Sequence, residues 1–98
     1  MAVTVWEYTF NASPFAPIPA KGTKYIQIGP SPAINDCAVT VTAHGLAGLV
    51  SGPQFLELVQ TATRAGPAPN ERWLDLVVRN NTERQCPFFR LIVSLVHA

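Results

Sequence analysis

Side chains able to carry acid–base or nucleophilic chemistry are few and scattered along the 98 residues. The histidines are His44 and His97, the carboxylates are Glu7, Asp36, Glu57, Glu71, Asp75 and Glu83, and the thiols are Cys37 and Cys86. An active site needs a nucleophile, a proton-transfer group or a metal held in mutual geometry. None of the spacings that build one is present: there is no Gly-x-Ser-x-Gly elbow, no His-Glu-x-x-His pair and no glycine-rich phosphate loop. Cys37 and His44 make the one nucleophile–base pair on offer, with no third group to orient the histidine. Neither Cys-x-x-Cys nor a histidine-rich spacing suggests a metal. The chain reads as non-catalytic, with no cofactor and no metal site.

Cys37 and Cys86 are the candidate disulfide. An internal bridge would close a loop of roughly fifty residues and stabilise by about 4 kcal/mol in the chain-entropy model. Two free thiols behaving as small hydrophobes, or a bridge between chains, are the alternatives.

Aromatic residues are the more suggestive class. Sugar-binding sites use an exposed ring as an apolar platform, with Asn, Asp or Gln nearby for the hydroxyls. Trp73 follows Asn70 and Glu71 closely, Trp6 stands beside Glu7, and Tyr25 lies on a short strand. The candidate ligand-binding residues are therefore Trp73, Asn70, Trp6 and Tyr25, with a glycan as the partner. The plainer account of Trp6, with Tyr8 and Phe10 on the same strand face, is core packing. Asn11-Ala-Ser13 and Asn80-Asn-Thr82 match the glycosylation acceptor pattern, which matters only on a eukaryotic secretory route.

The elements that would position these groups are strands. Proline- and glycine-rich breaks cut the chain at residues 11–22, 29–36, 45–53, 64–70 and 80–87. Between them, residues 3–10 alternate, with Thr4, Trp6, Tyr8 and Phe10 against Val3, Val5, Glu7 and Thr9. Residues 24–28 offer Ile26 and Ile28 to one face, and residues 37–43 offer Val39, Val41 and Ala43. Residues 73–80 place Leu74, Leu76 and Val78 inward, with Asp75 and Arg79 marking a wetter face. Residues 54–65 are ambiguous. Phe55, Leu58, Val59 and Ala62 fall at helical spacing, and Pro53 and Gly66 stand where a helix begins and ends. The β-branched Val59, Thr61 and Thr63 and the strand-rich surroundings favour a strand, with Leu56, Leu58 and Ala62 on one face. The expected fold is all-β: one domain over residues 1–98, a small antiparallel β-sandwich, Ig-like or jelly-roll-like, of six to eight strands. The alternative is α+β with one helix near residues 54–65.

The final segment sharpens this picture. Phe89, Leu91, Val93 and Leu95 point one way, while Phe88, Ile92 and Val96 point the other, so the strand is apolar on both faces. Its second face calls for a cover from the fold or from another copy of the chain. Charge is scarce, at 13% against 48% hydrophobic. Both observations favour a self-associating structural protein, with Phe88, Ile92, Val96 and Phe15 as candidate interface residues. The proline-rich residues 13–19 either block a sheet edge or reach a partner. The runs Leu74-Asp-Leu-Val-Val-Arg-Asn-Asn-Thr and Phe89-Arg-Leu-Ile-Val resemble the closing hairpin of small Ig-like sandwiches, although the Cys…Trp…Cys spacing of immunoglobulin domains is missing.

A net charge of +1, with the seven basic residues dispersed, provides no footprint for nucleic acid. No apolar run reaches the ~18–20 residues of a membrane span. The first ten residues lack the charged and apolar regions of a signal peptide, which leaves localisation open, extracellular or cell-surface use included.

Overall fold

A computed structural model describes residues 2–11, 14–46 and 56–97. The described residues form six strands: β1 (Ala2–Phe10), β2 (Thr23–Ile28), β3 (Cys37–Gly45), β4 (Leu56–Ala65), β5 (Arg72–Asn80) and β6 (Phe89–His97). They form two antiparallel three-stranded sheets, in the orders β1-β6-β3 and β2-β5-β4, packed into a small sandwich. The one helical piece among the described residues is a single 3₁₀ turn, Pro32–Ile34, capped by the Ser31 side chain. No described helix is long and apolar enough to cross a membrane.

Alternation along the strands decides which side chains enter the core. The central strand β6 sends Phe89, Leu91, Val93 and Leu95 inward, all fully buried. They meet Leu74, Leu76 and Val78 of β5 and Ile26 and Ile28 of β2. Each such side chain contributes about 1.5–3 kcal/mol when removed from water. Trp6, Tyr8 and Phe10 of β1 pack on the rim of this core, as do Val39, Val41 and Ala43 of β3.

Winding separates this sandwich from the immunoglobulin pattern. In an Ig-type sandwich, successive strands pair repeatedly within a sheet. Among the described strands here, β4 and β5 are the one consecutive pair that hydrogen-bonds. β1 pairs with β6 and β2 with β5, so the chain pairs from its ends inward, the winding of a jelly roll in six strands. The segment resembling a closing hairpin is thus an arch: β5 and β6 lie in different sheets, and their polar connection crosses between them.

The strand expected in place of a helix is present, and two further expectations change. Residues 56–65 are strand throughout, and the helix alternative fails there; Gln54 and Phe55 lie outside the described residues. A bulge between Leu58 and Gln60 shifts the register, so Ala62 pairs with Asp75 and joins the outer face instead of following Leu56 and Leu58 inward. The proline-rich stretch neither blocks an edge nor extends as an arm over its described residues 14–19. Ala16 and Ile18 are buried, Ile18 exchanges backbone hydrogen bonds with Cys86, and Phe15 packs edge-on against Phe10, so the stretch plugs one end of the core.

Asn80 fastens that plug. Its side-chain amide is fully buried and donates to the carbonyls of Ile18, Pro19 and Arg84 at 3.2, 3.2 and 2.7 Å. Its Oδ1 accepts from the Thr82 backbone N–H at 3.0 Å and from the Thr82 hydroxyl. One side chain therefore satisfies groups from two loops. An asparagine held this way is closed to glycosylation in the folded chain, despite the acceptor pattern.

Candidate functional site

Two outer faces, one on each sheet, carry the side chains of interest. On the β2-β5-β4 sheet, the turn after β4 sets the register. Gly66 N–H donates to the Glu71 carbonyl at 2.8 Å, and Asn70 takes a positive φ of 60°, a conformation that asparagine tolerates. Arg64 then stands opposite Trp73, and Ala62 opposite Asp75. Any side chain at Gly66 would strike the Glu71 carboxylate, so glycine there leaves room for that group.

From this register follows a chain of contacts. Trp73 Nε1 donates to Glu71 Oε1 at 3.0 Å. The Arg64 guanidinium lies 5.3 Å from the centre of the Trp73 ring, in cation–π range. Arg64 Nε donates to Asp75 Oδ2 at 2.9 Å, and Nη2 to Oδ1 at 3.4 Å. Asp75 is only 8% exposed although it faces outward, because Arg64 lies over it. The expected wet face is therefore half right: Arg79 is exposed, and Asp75 is not. Hydrogen bonding to Asp75 holds the Arg64 guanidinium above its usual range, with smaller help from the charges of Tyr25 and Glu71.

On the other side of Asp75 stands Gln27, directly paired with it, and Tyr25 is paired with Val77. Tyr25 is 54% exposed, and its hydroxyl accepts a hydrogen bond from Gln27 Nε2 at 3.1 Å. Trp73, Tyr25 and Asn70 thus belong to one sheet and its turn, whereas Trp6 packs against the core from the opposite sheet. Asn70 lines a shallow depression of about 360 Å³ with Pro30, Ser31, Pro32, Pro69 and Glu71. Arg64, Asp75 and Gln27 were not singled out from the sequence. The signal for the first two was there: a hairpin turning at residues 66–71 pairs 64 with 73 and brings 75 alongside.

The second face belongs to β1-β6-β3. Its outer rows are Val3–Val96–Ala38, Val5–Ser94–Thr40, Glu7–Ile92–Thr42 and Thr9–Arg90–His44. Val3 and Val5 are 59% and 55% exposed, while Ile92 and Val96 are half-buried between their neighbours. No third layer covers them among the described residues; flanking strands shield the second face of β6 sideways. Of the other candidate interface residues, Phe88 is half-buried just before β6, and Phe15 is committed to Phe10.

Both cysteines are free thiols. Cys37 pairs with His97 at one end of β6, whereas Cys86 lies beyond Phe89 at the other. Eight strand steps at about 3.3 Å separate those ends, far more than the ~7 Å Cα separation a disulfide tolerates. Burial pushes both thiols up from their ordinary range. The pairing of Cys37 with His44 fails as well: they sit at opposite ends of β3 on opposite faces, and His44 reaches Thr42 Oγ1 at 3.3 Å. No three metal-ligating side chains cluster among the described residues.

Comparison with protein-family models, curated proteins and solved structures finds no match to this chain. What stands is the class defined by the coordinates: a small antiparallel β-sandwich, with two three-stranded sheets among the described residues.

Proposed function

We propose that the protein is a non-catalytic β-sandwich interaction module that associates with copies of itself through the β1-β6-β3 sheet. The observation that carries this is strand β1. Among the described residues it is an edge strand of nine residues, free of proline, lysine and bulges, that pairs with β6 alone. Protein sheets normally blunt such edges, because unpaired N–H and C=O groups template the addition of another strand. A second β1, antiparallel about a two-fold axis, is a partner of equal length. It would bring two copies of the exposed Val3–Val5 strip together and extend cover over Val96. Sedimentation velocity from low to high micromolar concentration tests this. A dimer or larger species is expected, and a monomer at every concentration would remove the proposal.

A second reading, carbohydrate binding, is favoured by the exposed Tyr25 ring beside ordered polar groups on the opposite sheet. A glycan array tests it, and no signal at high protein density would remove it.

A further inference from the structure

We infer that the outer face of the β2-β5-β4 sheet holds a neutral oligosaccharide, with the Tyr25 ring against the C–H face of one sugar and Gln27 and Arg64 taking its hydroxyls. This rests on the carbohydrate-binding reading and changes which residues perform it. Trp73, the obvious platform in the sequence, is unavailable as one. Its ring faces the Arg64 guanidinium, and its N–H is occupied by Glu71. Tyr25 is the large aromatic side chain on this face that is more than half exposed.

Polar atoms beside that ring are fixed in advance. Gln27 is tied to the Tyr25 hydroxyl and stands directly opposite Asp75, and directly opposed side chains in a sheet lie about 4.5–5.5 Å apart at Cβ. Asp75 cannot turn away, because Arg64 grips both of its oxygens. A carboxylate has about four acceptor positions and a guanidinium five N–H donors. Two hydrogen bonds to the buried Asp75 leave donors on the half-exposed Arg64 guanidinium. Adjacent hydroxyls of a sugar ring, each both donor and acceptor, match the exposed Gln27 carbonyl and the Arg64 donors that flank Asp75.

Charge favours a neutral ligand, since Arg64 and Asp75 cancel one another. Shape agrees. Val77 is the small side chain on the middle strand, with Tyr25 and Gln27 on one side and Gln60, Ala62 and Arg64 on the other. Holding these groups in place before binding reduces the ordering cost of association. Trp73, Glu71 and Asp75 are then positioning residues: Glu71 fixes the indole, and the indole and the Asp75 carboxylate together hold Arg64. The two outer faces lie on opposite sides of the sandwich, so self-association through β1-β6-β3 leaves this one open on every copy. An assembly would bind a multivalent glycan by avidity.

The test uses the full chain on an array of neutral gluco-, manno- and galacto-configured oligosaccharides, with sulfated and uronate oligosaccharides as a second arm. The best binder is then titrated against variants whose unfolding temperatures are measured in parallel. Tyr25→Ala should weaken binding about tenfold or more with little change in unfolding temperature, and Tyr25→Trp should restore it. Gln27→Ala should act in the same direction. Trp73→Phe, which keeps a ring under Arg64, should bind better than Trp73→Ala. If neutral glycans bind but Tyr25→Ala and Gln27→Ala titrate like the parent, the site is wrong while carbohydrate binding stands. Binding confined to the sulfated or uronate arm, and lost with salt, overturns the neutral class. No binding on either arm overturns both.

Discussion

Arg64 grips Asp75 across the β4–β5 pair, with Nε 2.9 Å from Oδ2, and lies over it so that an outward-facing carboxylate is removed from water. The pair is diagonal, because Arg64 stands directly opposite Trp73, and the indole supports the guanidinium from the side. A buried carboxylate stripped of its cation costs more than a pair replaced by apolar groups. Arg64→Leu should therefore lower the unfolding temperature more than the double variant Arg64→Leu/Asp75→Leu does. Thermal unfolding of the four-member mutant cycle checks this, and simple additivity would show that the pair is not coupled.

Asn80 should behave as a structural staple. Asn80→Ala removes one hydrogen bond from each of the Ile18, Pro19 and Arg84 carbonyls, which keep Cys86, Gly22 and Thr82 as donors, and takes away the acceptor of the Thr82 N–H. With the Thr82 N–H left unsatisfied, a loss of about 1–3 kcal/mol is expected in chemical denaturation. A loss near that of a surface substitution would mean that water takes over those partners.

Phe89 closes the aromatic end of the core. It is fully buried and stacks on Phe10 at a ring-centroid distance of 4.8 Å. Phe89→Ala should cost about 3–5 kcal/mol, transfer and cavity terms together. Equilibrium denaturation measures it directly.

Alkaline pH should weaken the fold. The folded-state pKa values of Cys37, Cys86 and Tyr8 are all raised, with burial as the largest cause in each case. An acid whose folded pKa exceeds its unfolded one keeps its full contribution below the unfolded value and loses it as pH rises. Stability should be level through neutrality and fall above about pH 8.5, where unfolded thiols ionise. Denaturation midpoints from pH 7 to 10 test the sign. In non-reducing mass spectrometry both thiols should be free and alkylated, Cys37 before the more buried Cys86.

Strand identity was legible because alternation is a local property. Trp6 inward and Val5 outward, or Ile26 inward and Gln27 outward, follow from counting by twos, and the β-branched Val59, Thr61 and Thr63 decided residues 56–65. Pairing was not local. Nothing between Asn80 and Phe89 announces that the chain changes sheets; the cause is the Asn80 amide and the Ile18–Cys86 bridge, which involve residues some sixty positions away. Asn80 read as a glycosylation acceptor for the same reason. At the candidate site, Tyr25 and Trp73 were visible as aromatics. Their division of labour depends on Arg64 covering one and not the other, which a linear pattern does not encode. The face of Ala62 was misjudged because a bulge adds one residue, and one residue inverts every face that follows.

Hydrogen exchange of the β1 amides at two protein concentrations tests self-association through the edge strand most directly. Amides of β1 that point away from β6 should exchange rapidly in dilute solution and become protected at high concentration, while those of β5 stay unchanged. Equal exchange across β1 at both concentrations would contradict it.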